Sequence, residues 1–156
     1  MEEKCKLFIS YSHDDEEAKN KFTTFLATLK RNGIITEWND RQLLAGDKLN
    51  DEIINNIQNS DIICLLISQS FLASYYCVEE ELARALSQVE NGVSRIFPII
   101  VDHSTWLDTE LKDYTAVPND GTPIADYDNP NKAWLEVIEH LKKAINKNNK
   151  IKKKHR

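Results

Sequence analysis

Three consecutive glutamates at positions 79–81 are the side chains of this chain best suited to electrostatic or acid–base chemistry. The surrounding residues predict a helix whose inward face carries the apolar side chains Val78, Leu82, Ala85 and Leu86. Glu81 follows Val78 by three residues and shares that face, whereas the other two glutamates point toward solvent or a flank. A carboxylate on a buried helix face is destabilising unless it is paired or used in catalysis. Both alternatives stay open, with Arg84 or Arg41 as the pairing partner.

Several other chemistries are disfavoured by motifs that the sequence lacks. The stretch FISYSHDD after the first apolar run contains no glycine, which argues against a dinucleotide-binding or P-loop site. No G-x-S-x-G elbow is present to partner His13, and no CxxC or Cys/His cluster is present to bind a metal. A phosphoacceptor domain with this order of elements would need an aspartate at the end of the third strand, where this chain has Ser68.

Apolar runs alternate with amphipathic stretches, and together they predict the elements that position the glutamates. Four runs are typical of buried strands: CKLFISY (5–11), the segment 34–38, DIICLLIS (61–68) and RIFPIIV (95–101). Pro98 in the last of them indicates an edge-facing backbone position or a bulge, and TPIADY (122–127) is a candidate fifth strand. Helical patterns follow each of the first three runs, and another closes the chain from about Asn131.

This alternation predicts an α/β fold, namely a flavodoxin-like, doubly wound parallel sheet with helices on both faces. Ligands of such sheets bind beyond the carboxyl ends of the strands, where the strand order reverses. The loops that follow Tyr11, Trp38, Ser68 and Val101 lie at that edge.

Length, composition and charge indicate one domain with an acidic body. The 156 residues are 41% hydrophobic and 29% charged, which fits a single domain of ordinary size. Six basic and no acidic residues lie in 147–156, which leaves 14 basic against 25 acidic residues, a net −11, for 1–146. We expect a folded domain over 1–146 that disfavours nucleic acid, followed by a basic tail or linker over 147–156.

The N-terminal sequence and the cysteines indicate a cytoplasmic protein. MEEKCKLFIS lacks the basic and long apolar regions of a signal peptide, and no apolar run is long enough to cross a bilayer. Cys5, Cys64 and Cys77 are widely spaced and are typical of reduced thiols in a protein core.

Four blocks in this order resemble the TIR domain family, and specifically its bacterial members: KLFISYSHDD, EWNDRQLLAGDKLNDEI, SDIICLLISQSFLASYYCVEEELARAL and RIFPIIVD. The resemblance covers the chain from about residue 4 to residue 145. It implies a five-stranded parallel sheet and, as in many members, cleavage of the nicotinamide–ribose bond of NAD+. It also implies that Glu81, at the bacterial spacing from Tyr76, is the catalytic carboxylate. Glu80, which the plant-like spacing selects, is the second choice.

The implied reaction suits a single carboxylate. Loss of nicotinamide gives the ribose oxocarbenium character, which a carboxylate can stabilise, and the cationic leaving group departs without a general acid. The resemblance places substrate contacts at Ser10, Tyr11, Ser12, Trp38, Arg41, Lys48, Leu49, Tyr76 and Cys77. It further implies a self-association loop that includes Asn39, Asp40, Leu43, Leu44, Gly46 and Asp47. The leucines of this loop agree with a partner surface.

Two functions follow as alternatives. The first is an NAD+ glycohydrolase that TIR self-association activates, acting in bacterial antiphage defence and releasing nicotinamide with ADP-ribose or a cyclic ADP-ribose isomer. This enzyme would take NAD+ as its substrate, need no cofactor or metal, and respond to a sensor protein or a fused sensor domain. The second function is a non-catalytic TIR–TIR interaction or adaptor module.

Overall fold

A parallel sheet lies at the centre of the residues that this computed structural model describes, which are 5–40, 49–74 and 76–154. The side chains of 39, 49–52, 76 and 151–154 lie outside that description. Four strands form the sheet in the order β2-β1-β3-β4, with bounds β1 Cys5–Ser10, β2 Ile35–Asp40, β3 Ile62–Ile67 and β4 Arg95–Ile100. Every pair is parallel, as the four apolar runs predicted.

Helices connect the strands and cover both faces of the sheet. Their bounds are α1 Glu16–Arg31, α2 Leu49–Gln58, α3 Gln69–Ala73, a π-helix Tyr76–Leu82, α4 Ala83–Glu90 and α5 Pro130–Lys154. Short 3-10 turns occur at His13–Asp15, Trp106–Asp108, Glu110–Asp113, Asn119–Gly121 and Ile124–Asp126. The final helix therefore continues into the basic residues that follow position 146.

Two hydrophobic clusters show that the sheet is doubly wound. Alternate side chains of the strands point to opposite faces, so Leu7 and Ile9 pack on one side and Phe8 on the other. Helices α1 and α5 cover the first face, where the rings of Phe22 and Trp134 stack with centroids 5.5 Å apart. Helices α2, α3 and α4 and the π-helix cover the second face. The strand order reverses between β1 and β3, as the flavodoxin-like prediction requires.

The expected fifth strand is wrong for the described residues, since the sheet has four strands. The segment TPIADY folds into a 3-10 turn at Ile124–Asp126. Of the residues that the structure describes, only Val117 extends the sheet beyond β4, and its N–H donates to the carbonyl of Pro98 at 2.9 Å. Pro118 and Pro123 lack an N–H group, so neither can donate to a strand ladder.

The position of Pro98 confirms a smaller prediction from the sequence. β4 is an edge strand, and the backbone of Pro98 faces away from β3 toward Val117. A proline is tolerated there because its missing N–H removes no bond to the neighbouring strand.

The three cysteines are free and buried, in agreement with the expectation of core thiols. Burial raises the pKa of the Cys64 thiol, which favours the neutral form. Within the described ranges, no helix combines the length and apolar character that crossing a membrane requires.

Candidate active site

Glu81 lies on the buried side of its helix with 1% of its surface exposed. Glu79 is exposed and Glu80 is half-buried, so the predicted orientation of the three glutamates is confirmed. Among the described residues, Glu81 and Lys19 are the only charged side chains in the buried class. A buried carboxylate experiences a low local dielectric, which strengthens its interaction with any nearby charge. The catalytic role of Glu81 stays a prediction.

The π-helix gives Glu81 its orientation. Each N–H of a π-helix bonds to the carbonyl five residues earlier, so Cys77 and Leu82 share a face and Glu81 lies beside Leu82. Cys77 and Leu82 are 0% and 5% exposed, whereas Val78 is only half-buried. The α-helical spacing therefore predicted the correct direction for Glu81, and Val78 packs against the same cluster from its half-buried position. Helical segments of this kind are frequent at functional sites.

Ser74 caps the start of this π-helix. Its hydroxyl accepts a hydrogen bond from the N–H of Cys77 at 3.2 Å, and its carbonyl accepts one from the N–H of Val78 at 3.1 Å. The same residue ends α3, whose backbone turns to an extended conformation there. The capping bonds fix the point at which the π-helix begins and hence the residue that faces inward one turn later.

A hydrogen bond joins the π-helix to the loop after β1. The thiol of Cys77 donates to the backbone carbonyl of Tyr11 across 3.4 Å, and both residues are buried. Tyr11 lies between Ser10 and Ser12, which are 0% and 8% exposed. The structure therefore brings four of the predicted substrate-contact residues together at the carboxyl end of β1, beside the helix that carries Glu81.

The hydroxyls of this loop have different surroundings. Ser12 caps the 3-10 turn that follows, because its Oγ accepts from the N–H of Asp14 at 3.3 Å. The Oγ of Ser10 is buried, and within the described part of the chain it has no hydrogen-bond partner. A buried hydroxyl without a partner is costly, so Ser10 is available for a bond to a bound molecule.

Lys19 is a buried charged residue next to the loop after β1 that the sequence analysis missed. Its ammonium lies 3.4 Å from the carboxylate of Glu16 and 3.6 Å from that of Asp40, with the side chain 6% exposed. It also lies 5.5 Å from the centre of the Tyr11 ring, within the range of a cation–π contact. Lys19 thus connects α1, the end of β2 and the loop after β1. The sequence does indicate that Lys19 is buried, because it precedes Phe22 by three residues and so lies on the apolar face of α1.

A second polar contact links the ends of β1 and β3. The hydroxyl of Ser68 donates to the carboxylate of Asp15 and accepts from the N–H of Phe71 at 3.1 Å. Burial raises the pKa of the Asp15 carboxyl, the bond from Ser68 lowers it, and the nearby charge of Asp14 raises it further. This contact lies at the point of strand reversal, where doubly wound folds bind ligands.

Trp38 is not brought to Glu81 within one chain. Its half-buried ring packs against the cluster under α1 and α5, and the ammonium of Lys30 lies 5.2 Å from the ring centre. The π-helix covers the opposite face, so the sheet separates Trp38 from Glu81. The proposed contact between Trp38 and substrate therefore gains no support from its position.

Other predicted site residues lie outside the described residues. They are Arg41, Leu43, Leu44, Gly46, Asp47 and Lys48, together with the side chains of Asn39, Leu49 and Tyr76. Asp40, at the end of β2, is described and is the partner of Lys19 given above.

The remaining polar groups at this edge of the sheet do not form a metal site in the described ranges. His103 contacts the carboxylate of Asp126 through Nε2 at 2.7 Å, and this hydrogen bond raises the pKa of His103. The contact holds the 3-10 turn that replaces the fifth strand. A cavity of about 570 Å³ lies nearby, and its lining includes Asp14, Asp15, Asp102 and Trp134.

Comparison with known proteins gives a consistent family assignment. A sequence profile described as TIR domain matches residues 7–143. The uncharacterized protein y4lF of Sinorhizobium fredii is 36% identical over 138 residues, which are 88% of this chain and 43% of that protein. The chain therefore spans less than half the length of this relative.

Solved structures share the fold at low sequence identity. The TIR domains of the activated Roq1 resistosome, which recognizes the pathogen effector XopQ, superpose with a TM-score of 0.60 at 17% identity, covering 88% of this chain and 99% of theirs. The TIR domain of the Toll-related receptor TRR-2 from Hydra magnipapillata gives 0.52 at 20% identity, covering 86% and 95%. The CMP N-glycosidase BcmB of Clostridium botulinum gives 0.52 at 11% identity, covering 86% and 98%.

Proposed function

The chain belongs to the TIR domain family, and from this premise we propose that it is an NAD+ glycohydrolase with Glu81 as the catalytic carboxylate. One observation carries the proposal: Glu81 is 1% exposed on a helix whose Cys77 bonds to the loop after β1. Proteins keep a carboxylate this deeply buried where it is paired or acts on a bound molecule, and buried titratable groups cluster at functional sites.

The reaction breaks the bond between nicotinamide and ribose, and the electron pair of that bond leaves with nicotinamide. The ribose carbon then carries positive charge, and the carboxylate of Glu81 stabilises it more effectively in a dry site than in water. Water attacks the same carbon and loses a proton, which gives ADP-ribose. Attack by a nucleophile of the substrate itself gives a cyclic ADP-ribose isomer instead.

The loop after β1 supports the proposed substrate position. Ser10 offers a buried hydroxyl, and Tyr11 and Ser12 are held beside the π-helix by the bond to Cys77. The proposal includes Arg41, Lys48, Leu49 and Tyr76 as further contacts on the resemblance alone. A CMP N-glycosidase shares the fold, so the scaffold is compatible with cleavage of an N-glycosidic bond.

Access to Glu81 explains why the proposal includes self-association. A side chain with 1% exposure cannot contact a substrate as large as NAD+ unless the site opens. We assign that opening to TIR–TIR contact through the loop that follows Asp40. In this proposal the chain is part of a cytoplasmic defence protein, and a sensor triggers its self-association. Activity should therefore rise more steeply than in proportion to protein concentration.

Nicotinamide release from NAD+ tests the proposal. Wild type, Glu81→Gln and Glu80→Gln are compared at high protein concentration or on a multivalent scaffold, while sedimentation reports assembly. Glu81→Gln keeps the side-chain volume and should lower kcat by about 100-fold or more. Glu80→Gln is the matched control and should retain activity within about threefold. Absence of release from assembled wild type would favour the adaptor alternative.

A further inference from the structure

A groove of about 830 Å³ runs along the uncovered edge of β4. Its floor is formed by Ile96 and Phe97 in the first half of the strand. The groove therefore lies where β4 begins, whereas the loop proposed to hold substrate follows the end of β1. It occupies the position at which a fifth strand would pair with this part of β4.

The backbone of β4 presents hydrogen-bonding groups to this groove. The N–H of Arg95 points to β3, where it donates to Asp61 at 3.0 Å, and that of Ile100 points outward to Val117 at 2.8 Å. Bonds along a strand alternate in direction, so the N–H and carbonyl of Ile96 also point outward. Pro98 has no N–H to donate, so an added strand can pair only with the residues of β4 that precede it.

One wall of the groove is a row of basic side chains on α5. His140, Lys143, Lys147 and Lys150 line it at spacings of three and four residues, which place them on one helix face. Arg95 adds a fifth basic group, and the described lining contains no aspartate or glutamate. Four lysine and arginine side chains thus lie together here in a chain whose formal net charge is −5.

The opposite wall includes apolar surface. Val89 of α4 and the ring of Tyr114 line it, and both pack against the cluster on the second face of the sheet. A strand added to the edge of β4 would direct alternate side chains toward α5 and toward this apolar wall.

We propose that the groove binds an extended acidic segment of a partner protein, which adds to β4 as an edge strand. The row from His140 to Lys150 spans ten residues of helix, about 15 Å. Four or five residues of extended chain cover that length at about 3.3 Å each. The matching segment therefore has acidic residues at alternate positions, facing α5, and apolar residues between them, facing Val89 and Tyr114.

Fluorescence anisotropy with synthetic peptides tests the proposal. The probe is a labelled, acetylated peptide with a Glu-Val-Glu-Val-Glu core, and a second peptide carries N-methyl groups on alternate backbone amides so that its charge is unchanged. The full chain should bind the first peptide at least about tenfold more tightly than the second, because main-chain bonds supply affinity in strand addition. Hydrogen exchange at the amide of Ile96 should slow when the first peptide is bound.

Charge-reversed variants identify the surface. Lys143→Glu/Lys147→Glu should weaken binding of the first peptide by about tenfold or more. Lys112→Glu/Lys132→Glu makes the same change in net charge outside the groove, at two exposed side chains, and should leave binding within about twofold.

Several results would overturn the proposal. Equal binding of the two peptides would show electrostatic attraction without strand pairing. Equal loss in both double variants would show that net charge alone is sensed. Failure of the first peptide to bind wild type, or tighter binding of an oligonucleotide of equal charge, would likewise reject an acidic strand as the occupant. The peptide comparison uses wild type, so it stands even if a variant fails to fold.

Discussion

The thiol of Cys77 donates to the carbonyl oxygen of Tyr11 across 3.4 Å, and this bond joins the π-helix of Glu81 to the loop after β1. It connects the helix of the proposed catalytic carboxylate directly to the proposed substrate loop.

Replacing Cys77 should impair catalysis more than its effect on stability alone explains. Cys77→Ala removes the donor and leaves a small void, so we expect the free energy of unfolding to fall by about 1 kcal/mol and kcat to fall more than KM rises. Cys77→Ser restores a donor and should recover part of kcat. Cys64→Ala is the matched control, since Cys64 is equally buried in the other core cluster. Equal loss of kcat in both alanine variants would contradict a positioning role for Cys77.

Lys19 should contribute to stability far more than a surface lysine. Lys19→Met leaves the carboxylate of Asp40, which is 14% exposed, without this cation, and should lower the free energy of unfolding by about 1–3 kcal/mol in urea. Lys142→Met breaks an exposed pair with Glu139 and should change it by less than about 0.5 kcal/mol. The double variant Lys19→Met/Asp40→Asn should lose less free energy of unfolding than the two single variants lose together. Full additivity would show that the two side chains do not interact.

Asp15 should make the protein less stable as the pH rises. Its pKa is raised in the folded state, mainly by burial, so the folded chain binds more protons there than the unfolded chain. Stability attributable to Asp15 is therefore present below the ordinary pKa of 3.8 and is lost as the pH rises through the folded value. Asp15→Asn keeps an acceptor for Ser68, and its thermal midpoint should exceed that of wild type increasingly from about pH 3 to about pH 7. A constant difference across this range would rule out titration of Asp15.

His103 should affect stability in a higher pH range than Asp15 does. The bond to Asp126 raises its pKa above the ordinary 6.5, so the stabilisation is complete below 6.5 and is lost as the pH rises through the folded value. The side chain is exposed, and the effect should be small. The difference in thermal midpoint between wild type and His103→Gln should shrink as the pH increases, and Asp126→Asn should behave like His103→Gln. A difference that grows with pH would contradict this sign.

Much of the fold could be predicted because its signals are local. Runs such as 61–68 are apolar on both faces, which occurs in central parallel strands, and β3 is buried throughout. The edge position of Pro98 followed from its missing N–H. The fifth strand failed because TPIADY has strand-like composition, yet Val117 alone pairs with β4 and Pro123 precedes a 3-10 turn.

The candidate site was predicted less completely because its contacts are distant in sequence. The burial of Glu81 followed from helical spacing, but the π-helix depends on Ser74 and on the approach of Tyr11 to Cys77. Lys19 was missed because its partner Asp40 is far along the chain, on β2. The role of Trp38 stays a prediction, because an edge strand offers two faces and the sequence does not decide which one carries the ring.

The π-helix also has an evolutionary consequence. Position 81 follows position 76 by five residues, which is one turn of a π-helix, and position 80 follows it by four, which is about one turn of an α-helix. Deleting one residue between positions 76 and 81 would convert this turn from a π-helix to an α-helix. The contacts of Ser74 before it and of α4 after it would stay the same. A change of one residue in length can therefore be absorbed here without moving the glutamate to another face. On the proposed function, the bacterial and plant-like spacings that the resemblance implies would each deliver a carboxylate to the same position.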